Sequence, residues 1–269
     1  MLKQRLITAA VLIPLVVWGI LSLSNFYFAV VLTVLVATAA WEWAGLIGLP
    51  APVGRAVYVL LILVALWLSS WIPVVAVLSL AMIGWLIGLV WVLRYPAGDQ
   101  QWANRPIGAL AGVFVLVAPW VALVALHGGD SMGPYRVLFL LSLIWLADTA
   151  AYFAGRRWGA AKLAPRVSPG KTWAGAWGAL VAGAVYALLS GMLVFTEVLL
   201  PVWVLLAVTA VLFSILGDLL ESMFKRQAGV KDSGSLLPGH GGMLDRIDSL
   251  TAAAPLFMLG MLLINKGFS

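Results

Sequence analysis

The sequence predicts an all-α, polytopic transmembrane protein with about nine spans, and three observations support this. Hydrophobic residues fill 64% of the 269 positions and charged residues only 10%, whereas a soluble domain has about a quarter of its residues charged. The mean hydropathy is +1.08. The apolar runs are continuous, and the lack of alternation excludes a membrane barrel. Helices remain, because backbone groups in lipid must hydrogen-bond within the protein.

The individual spans follow from apolar runs of roughly 20 residues, the length that crosses a bilayer. The first run follows Lys3 and Arg5. A basic start is also typical of a cleaved signal peptide, so that alternative stays open. Residues 56–93 carry no charge and are long enough for two spans, with a turn near 69–73. The predicted spans are 6–23, 26–49, two within 56–93, 107–126, 135–154, 173–195, 198–217 and 249–265.

The distribution of charge predicts the orientation. With a cytoplasmic N-terminus, 14 of the 16 lysines and arginines fall in cytoplasmic segments, as the positive-inside rule requires. This bias also explains the net charge of +6, so no nucleic-acid partner is expected. We predict one integral domain, 1–269, in the inner (cytoplasmic) membrane. Two cytoplasmic catalytic segments are expected, a central segment (155–172) and a C-terminal segment (217–248).

The C-terminal segment holds five of the ten acidic residues. Asp218, Glu221 and Ser222 lie three or four positions apart and share a helix face. Asp245 and Asp248 are three apart and share a face at the start of the last span. Two such carboxylate groups at facing helix ends predict a Mg²⁺ site, because Mg²⁺ prefers oxygen ligands. The predicted metal ligands are Asp218, Asp245 and Asp248. In the alternative interpretation, the acids cap helices or pair with nearby arginines.

A glycine-rich stretch follows in the same segment, where Gly239, Gly241 and Gly242 surround His240. Glycines let backbone N–H groups approach an anion closely, although a bare turn has the same composition. The histidine is a candidate general base or phosphate contact, with a structural hydrogen-bonding role as the alternative.

The central segment offers five basic residues and a helix start near Thr172, a favourable place for phosphates. Non-specific binding of anionic headgroups is the alternative. Gly170, Lys171 and Thr172 look like the end of a P-loop. That motif requires glycine at 165, where the chain has Pro165, so we reject it. Cysteine is absent, which excludes thiolate catalysis and Cys-type zinc sites.

Taken together, residues 222–248 resemble the signature of the phosphatidate cytidylyltransferases, the CDP-diacylglycerol synthases. The matching positions are Ser222, Lys225, Arg226, Lys231, Asp232, Ser233, Gly234, Leu237, Pro238, His240, Gly241, Gly242, Asp245, Arg246 and Asp248. Ser168, Pro169, Lys171 and Thr172 also fit the family, as does the region of Asp148. The chain departs at Gly170, where a basic residue is expected. The resemblance covers roughly the last 120 residues.

The resemblance implies a reaction in which CTP and phosphatidic acid give CDP-diacylglycerol and pyrophosphate. It implies Mg²⁺, leaves open a second, monovalent cation, and suggests a homodimer. The catalytic candidates are Asp218, Asp245, Asp248, Lys225, Arg226, Lys231, Asp232, His240 and Arg246. The substrate-binding candidates are Ser168, Lys171, Thr172, Ser222, Gly239, Gly241 and Gly242.

A transporter or channel is the alternative from another class, because intramembrane acids also line ion paths. Transporters tend to show paired repeats, and none is evident here. The Asp-Gly-x-x-Ala-Arg pattern of CDP-alcohol phosphotransferases is absent. Glu42, Asp148 and Glu221 receive no role from the sequence.

Overall fold

The computed structural model describes residues 2–49, 52–97, 104–234 and 241–267, with side chains between residues 12 and 264. Nine helices and one small hairpin occupy these ranges. In chain order they are α1 (Leu2–Ser22), α2 (Asn25–Leu46), α3 (Pro52–Ser69), α4 (Val74–Arg94), α5 (Arg105–Gly128), α6 (Gly133–Trp158), β1 (Lys162–Ala164), β2 (Ser168–Thr172), α7 (Trp173–Leu193), α8 (Leu200–Gln227) and α9 (Leu244–Gly267).

The predicted membrane class is confirmed. Eight of these helices, α2 to α9, are long and apolar enough to cross a membrane, with mean hydropathies between 1.7 and 2.5. The described apolar part of α1, Leu12–Ser22, is shorter. The uncharged region 56–93 divides into α3 and α4 around residues 70–73, as predicted. Which side of the membrane the termini face stays a prediction.

Burial separates a central set of helices from a peripheral set. In α5 and α9 about half of the membrane-spanning window is buried, 56% and 50%, whereas in α3 and α4 the share is 22%. The peripheral helices expose large apolar side chains such as Leu60, Trp67 and Leu86. Exposed apolar surface of this extent would be unfavourable in water, so these faces are suited to lipid.

Helices α2 and α3 are each fixed against α5 by one polar contact. The indole N–H of Trp43 donates to the carbonyl of Gly108 at 2.9 Å, and the Tyr58 hydroxyl from α3 donates to Ala109 at 2.9 Å. Both side chains lie so close to Gly112 that a side chain there would overlap them. These contacts hold α2 in the centre of the bundle. Trp43, which makes one of them, is the residue next to Glu42.

Polar contacts also close the opposite end of the bundle. His127 contacts the Asn25 side chain at 3.1 Å and the Ile20 carbonyl at 2.9 Å, and its ring stacks on Phe28. In the loop between α5 and α6, Asp130 accepts a hydrogen bond from Arg136 at 2.6 Å. This hydrogen bond holds the pKa of Asp130 below its ordinary value.

The central segment contains a hairpin that the all-helical prediction did not include. Strand β1 pairs antiparallel with β2, and Lys162 lies opposite Thr172. The strands are three and five residues long and lack the alternating apolar pattern that predicts a strand. Thr172 ends β2 and accepts a hydrogen bond from the Gly175 N–H at 3.1 Å, so it is the N-cap of α7. The predicted helix start near Thr172 is confirmed.

Candidate active site

A cavity of about 450 Å³ lies between α6, α7, α8 and the hairpin. This volume is within the range of small-molecule sites. Its apolar wall includes Ala147, Ala151 and Ile215. The charged groups that line it are Asp148, Arg156, Lys162, Lys171 and Asp218. The cavity therefore brings the two predicted catalytic segments together and adds an acid from α6.

Lys171 of the hairpin and Asp218 of α8 form the central ion pair of this cavity, with Nζ 2.5 Å from Oδ2. About a quarter of each side chain is exposed, 24% and 27%. Ser222 donates to the other oxygen of Asp218 at 3.2 Å. The predicted shared helix face of Asp218 and Ser222 is confirmed, and their substrate roles stay predictions.

Helix α9 brings Asp248 close enough to Asp218 for the two carboxylate charges to interact. The approach depends on Gly217, because a side chain there would collide with the Asp248 carbonyl. Asp248 also interacts electrostatically with Lys171. Asp148 interacts electrostatically with both Lys171 and Asp218. Lys171 thus contacts one carboxylate, Asp218, and interacts electrostatically with two more, Asp148 and Asp248.

A second, more buried cluster lies one to two helical turns along α8. Lys225 Nζ is 3.0 Å from Glu221 Oε1 and 2.6 Å from Asp245 Oδ1. The exposed fractions of the three side chains are 10%, 3% and 12%. Within the described part of the chain, Glu221 Oε2 has no hydrogen-bond partner. The alternative named arginines as the partners of the acids, whereas Glu221 and Asp245 pair with a lysine, Lys225.

Asp245 organises the loop that precedes α9. Its Oδ2 accepts from the Ser233 N–H at 2.9 Å, the Ser233 hydroxyl at 2.9 Å and the Gly242 N–H at 2.8 Å. Gly241 between them has φ +76°, a left-handed conformation that favours glycine. In this structure the Gly242 amide therefore binds an anion, the carboxylate of Asp245.

The family model described as the cytidylyltransferase family matches residues 3–264, and so covers nearly the whole set of helices. This chain belongs to the cytidylyltransferase family. The family predicted from the C-terminal segment is confirmed, and the match extends through the first half, where the sequence showed only hydrophobicity.

Relatives named phosphatidate cytidylyltransferase are similar over most of their length. The one from Pseudomonas aeruginosa is 43% identical over 260 residues, covering 96% of each chain. The one from Haemophilus influenzae is 40% identical over 280 residues, covering 96% of this chain and 97% of its own. The relative from Brucella suis is 47% identical over 162 residues, 59% of this chain.

Other predicted residues of this family member lie around the two clusters, on the hairpin, on the helix ends and on the loop after α8. Arg226 donates to the carbonyls of Val167 and Val230, each at 3.3 Å, and so ties the hairpin to the end of α8. Lys231 and Asp232 are exposed, Arg246 is the exposed residue in the first turn of α9, and Ser168 is half-buried in β2. Gly239 and His240 lie outside the described residues.

The donor chemistry fits Mg²⁺ in one place. Among the described residues no group of three or more His, Cys, Asp or Glu side chains has the arrangement of a metal site. Mg²⁺ is commonly bound by one or two carboxylates together with water and substrate phosphates. Asp218, which lines the cavity, and Asp248, which interacts with it electrostatically, provide such a pair. Asp245, also predicted as a ligand, is already engaged by Lys225, Ser233 and Gly242.

Sequence reasoning assigned no role to Glu42, which the structure places at the second cluster. It accepts hydrogen bonds from Ser233, Met243 and Leu244. The only signal in the sequence is an acid in an otherwise uncharged apolar helix, which requires a partner. Nothing in the sequence names the partner.

Proposed function

We propose that the chain is a phosphatidate cytidylyltransferase, which transfers CMP from CTP to phosphatidic acid and releases pyrophosphate. The similarity to two bacterial proteins of that name over 96% of the chain supports the substrates. The observation that carries the proposal is the Lys171–Asp218–Asp248 group beside a cavity with an apolar wall, at the ends of membrane helices. A lipid-anchored phosphate and a soluble nucleotide could meet there.

In the proposed reaction, a phosphate oxygen of phosphatidic acid attacks the α-phosphorus of CTP. A new P–O bond forms, the bond from the α-phosphorus to the bridging oxygen breaks, and pyrophosphate leaves with the bonding electrons. A phosphate monoester is already ionised near neutral pH, since its second pKa is about 6, so little base catalysis is needed. The protein therefore contributes alignment and charge neutralisation.

Each residue then has a defined task. Lys171 contacts a phosphate oxygen from the hairpin side of the cavity. Asp218 and Asp248 would hold Mg²⁺, which when bound neutralises phosphate charge and favours departure of pyrophosphate. Lys225 and Asp245 keep the adjoining loop in place. The second, monovalent cation and the homodimer stay predictions from the family resemblance.

We place the cavity at the cytoplasmic face of the inner membrane, where CTP is available. The excess of basic residues in the segments predicted as cytoplasmic supports this orientation. Membership of the cytidylyltransferase family favours an enzyme over the transporter or channel alternative.

The test is turnover by the purified protein in detergent, supplied with phosphatidic acid, Mg²⁺ and radiolabelled CTP. We expect label in the lipid extract and release of pyrophosphate. EDTA and Asp248→Asn should each abolish both signals, because the site then lacks its cation or one of its ligands. Asp130→Asn, the same substitution at the opposite end of the bundle, is the matched control and should retain activity.

Two different outcomes would contradict the proposed metal site and the proposed activity separately. Labelled lipid from Asp248→Asn at the wild-type rate would remove this residue from the metal site. Well-folded wild-type protein that labels no lipid, with phosphatidic acids of several chain lengths, would contradict the activity itself. Transport assays would then be the next measurement.

A further inference from the structure

Glu42 is the only charged residue of α2 and is 7% exposed. A carboxylate in such surroundings is costly unless hydrogen bonds or opposite charges compensate it. Its position in the first quarter of the chain is remote in sequence from every residue of the proposed site. The hydrogen-bond partners of Glu42 therefore show which part of the structure this buried carboxylate stabilises.

Among the described residues, the three donors to Glu42 come from the stretch that leads from α8 into the first residue of α9. The Met243 N–H donates to Oε1 at 2.9 Å, and the Leu244 N–H donates to Oε2 at 2.8 Å. Because α9 begins at Leu244, these are amides that no helical carbonyl can satisfy. Glu42 thus caps α9 from another helix, with its negative charge at the positive end of the helix dipole.

The third donor connects Glu42 to the second cluster. The Ser233 hydroxyl lies 2.9 Å from Glu42 Oε2 and 2.9 Å from Asp245 Oδ2. A hydroxyl carries a single proton, so Ser233 shares it between the two carboxylates. Asp245 in turn contacts Lys225 at 2.6 Å. A continuous chain of contacts therefore runs from α2 to the ammonium group on α8.

The loop is also shaped to the Glu42 side chain. Gly234 and Gly242 pack so tightly on the carboxylate that a side chain at either position would collide with it. Ser233 and Gly234 precede residues 235–240, and Gly242 to Leu244 follow them. Glu42 therefore contacts the described residues on both sides of 235–240.

We propose that Glu42 is a positioning residue for the nucleotidyl transfer, which holds Ser233, the start of α9 and Asp245 in their active arrangement. This inference rests on the proposed function. Glu42 contacts loop residues only, so it acts through the loop and not on the substrates. No comparison or sequence motif assigns this role.

The test compares Glu42→Gln with Thr33→Val. The glutamine keeps the size of the side chain but replaces one acceptor oxygen by an NH₂ group, which then faces donors. Thr33 lies on the same helix and accepts from the Trp120 indole at 3.0 Å, so its substitution removes an interhelical hydrogen bond far from the loop. Activity is expressed per mole of folded, monodisperse protein.

We expect Glu42→Gln to lower kcat by on the order of 10- to 100-fold, the usual effect of losing a residue that orients an active group. The KM values for CTP and phosphatidic acid should change little, and Thr33→Val should match the wild type. Glu42→Asp retains both acceptors and should recover part of the kcat. A folded Glu42→Gln with wild-type kcat would overturn the proposal.

Two further measurements cover the remaining outcomes. If Glu42→Gln does not fold, Ser233→Ala tests the same connection and should lower kcat, whereas full activity in that variant would overturn the proposal. If the wild type shows no turnover, the proposed function fails, and trypsin cleavage after the exposed Lys231 still tests the loop. Cleavage should be faster in Glu42→Gln than in Thr33→Val, and equal rates would contradict the positioning role.

Discussion

At the scale of single residues, the two clusters share an excess of carboxylates over the ammonium groups they contact. Lys225 lies between Glu221 and Asp245, and three carboxylates interact around Lys171. Uncompensated charge near lipid is costly. The cluster around Lys171 opens into the cavity, so a bound cation can offset its excess. The cluster around Lys225 is closed and must rely on its own ion pairs.

Lys225 should therefore matter for stability. Removing one partner of a buried ion pair leaves an unpaired charge and costs about 3–5 kcal/mol. We expect Lys225→Met to lower the thermal unfolding temperature in detergent clearly. Lys231→Met removes the same charge from an exposed position and should change it little.

A second substitution tests the cause. Glu221→Gln removes one of the charges that Lys225→Met leaves unpaired, so the double variant should be more stable than Lys225→Met alone. If the double variant is less stable than the single one by the full effect of Glu221→Gln, the two residues are independent and the ion pair contributes nothing.

At the scale of elements, the hairpin and α7 share one residue. Thr172 is the last residue of β2 and the N-cap of α7, and Gly155 and Gly159 of the preceding helix end pack closely on its side chain. The cap thus determines where β2 ends, and with it the position of Lys171 one residue earlier.

Thr172→Ala should lower the free energy of unfolding by about 1 kcal/mol, the usual effect of losing a threonine cap. It should also raise the KM for CTP, because Lys171 is held less firmly. Thr172→Ser keeps the acceptor oxygen and should preserve both quantities. Loss of CTP binding in the serine variant, with unchanged stability, would instead indicate that the methyl group contacts the substrate.

The helices were largely predictable because hydrophobic runs reveal them. The polar helix ends that extend beyond these runs were not predictable in the same way. α8 was predicted over 198–217 and continues to Gln227, since charged residues lower hydropathy without ending a helix. The Glu221–Lys225 pair follows from i,i+4 spacing and could have been found. The contact of Glu42 with Ser233 joins positions 191 residues apart, and no local pattern encodes it.

At the scale of the whole molecule, the helices of the described residues place the hairpin and the loop that contains Asp130 at opposite ends of the bundle, because α6 runs from one to the other. The chain has no cysteine, so single cysteines can report on each end without a prior background substitution. Gly170 has open space around it, and Ser131 is exposed. Both positions accept a cysteine without steric conflict.

We expect a membrane-impermeant maleimide to label Ser131→Cys from outside in spheroplasts, and Gly170→Cys only after the membrane is opened or inverted. The reason is that the hairpin is predicted to lie on the cytoplasmic side of the membrane. The reverse pattern would invert the topology and place the cavity away from CTP. Labelling of both residues in sealed spheroplasts would show that the reagent crosses the membrane. The experiment would then be repeated with a larger reagent.

The connection between α2 and the start of α9 also sets an order of events during synthesis. Glu42 leaves the ribosome 202 residues ahead of Leu244, a delay of about 10–40 s at typical translation rates. Until Ser233 follows, 191 residues behind Glu42, the carboxylate has none of its later donors and needs water, a proton or a temporary protein partner. A chain arrested before residue 243 would lack the two amide donors at the start of α9, and its catalytic centre would still be unassembled.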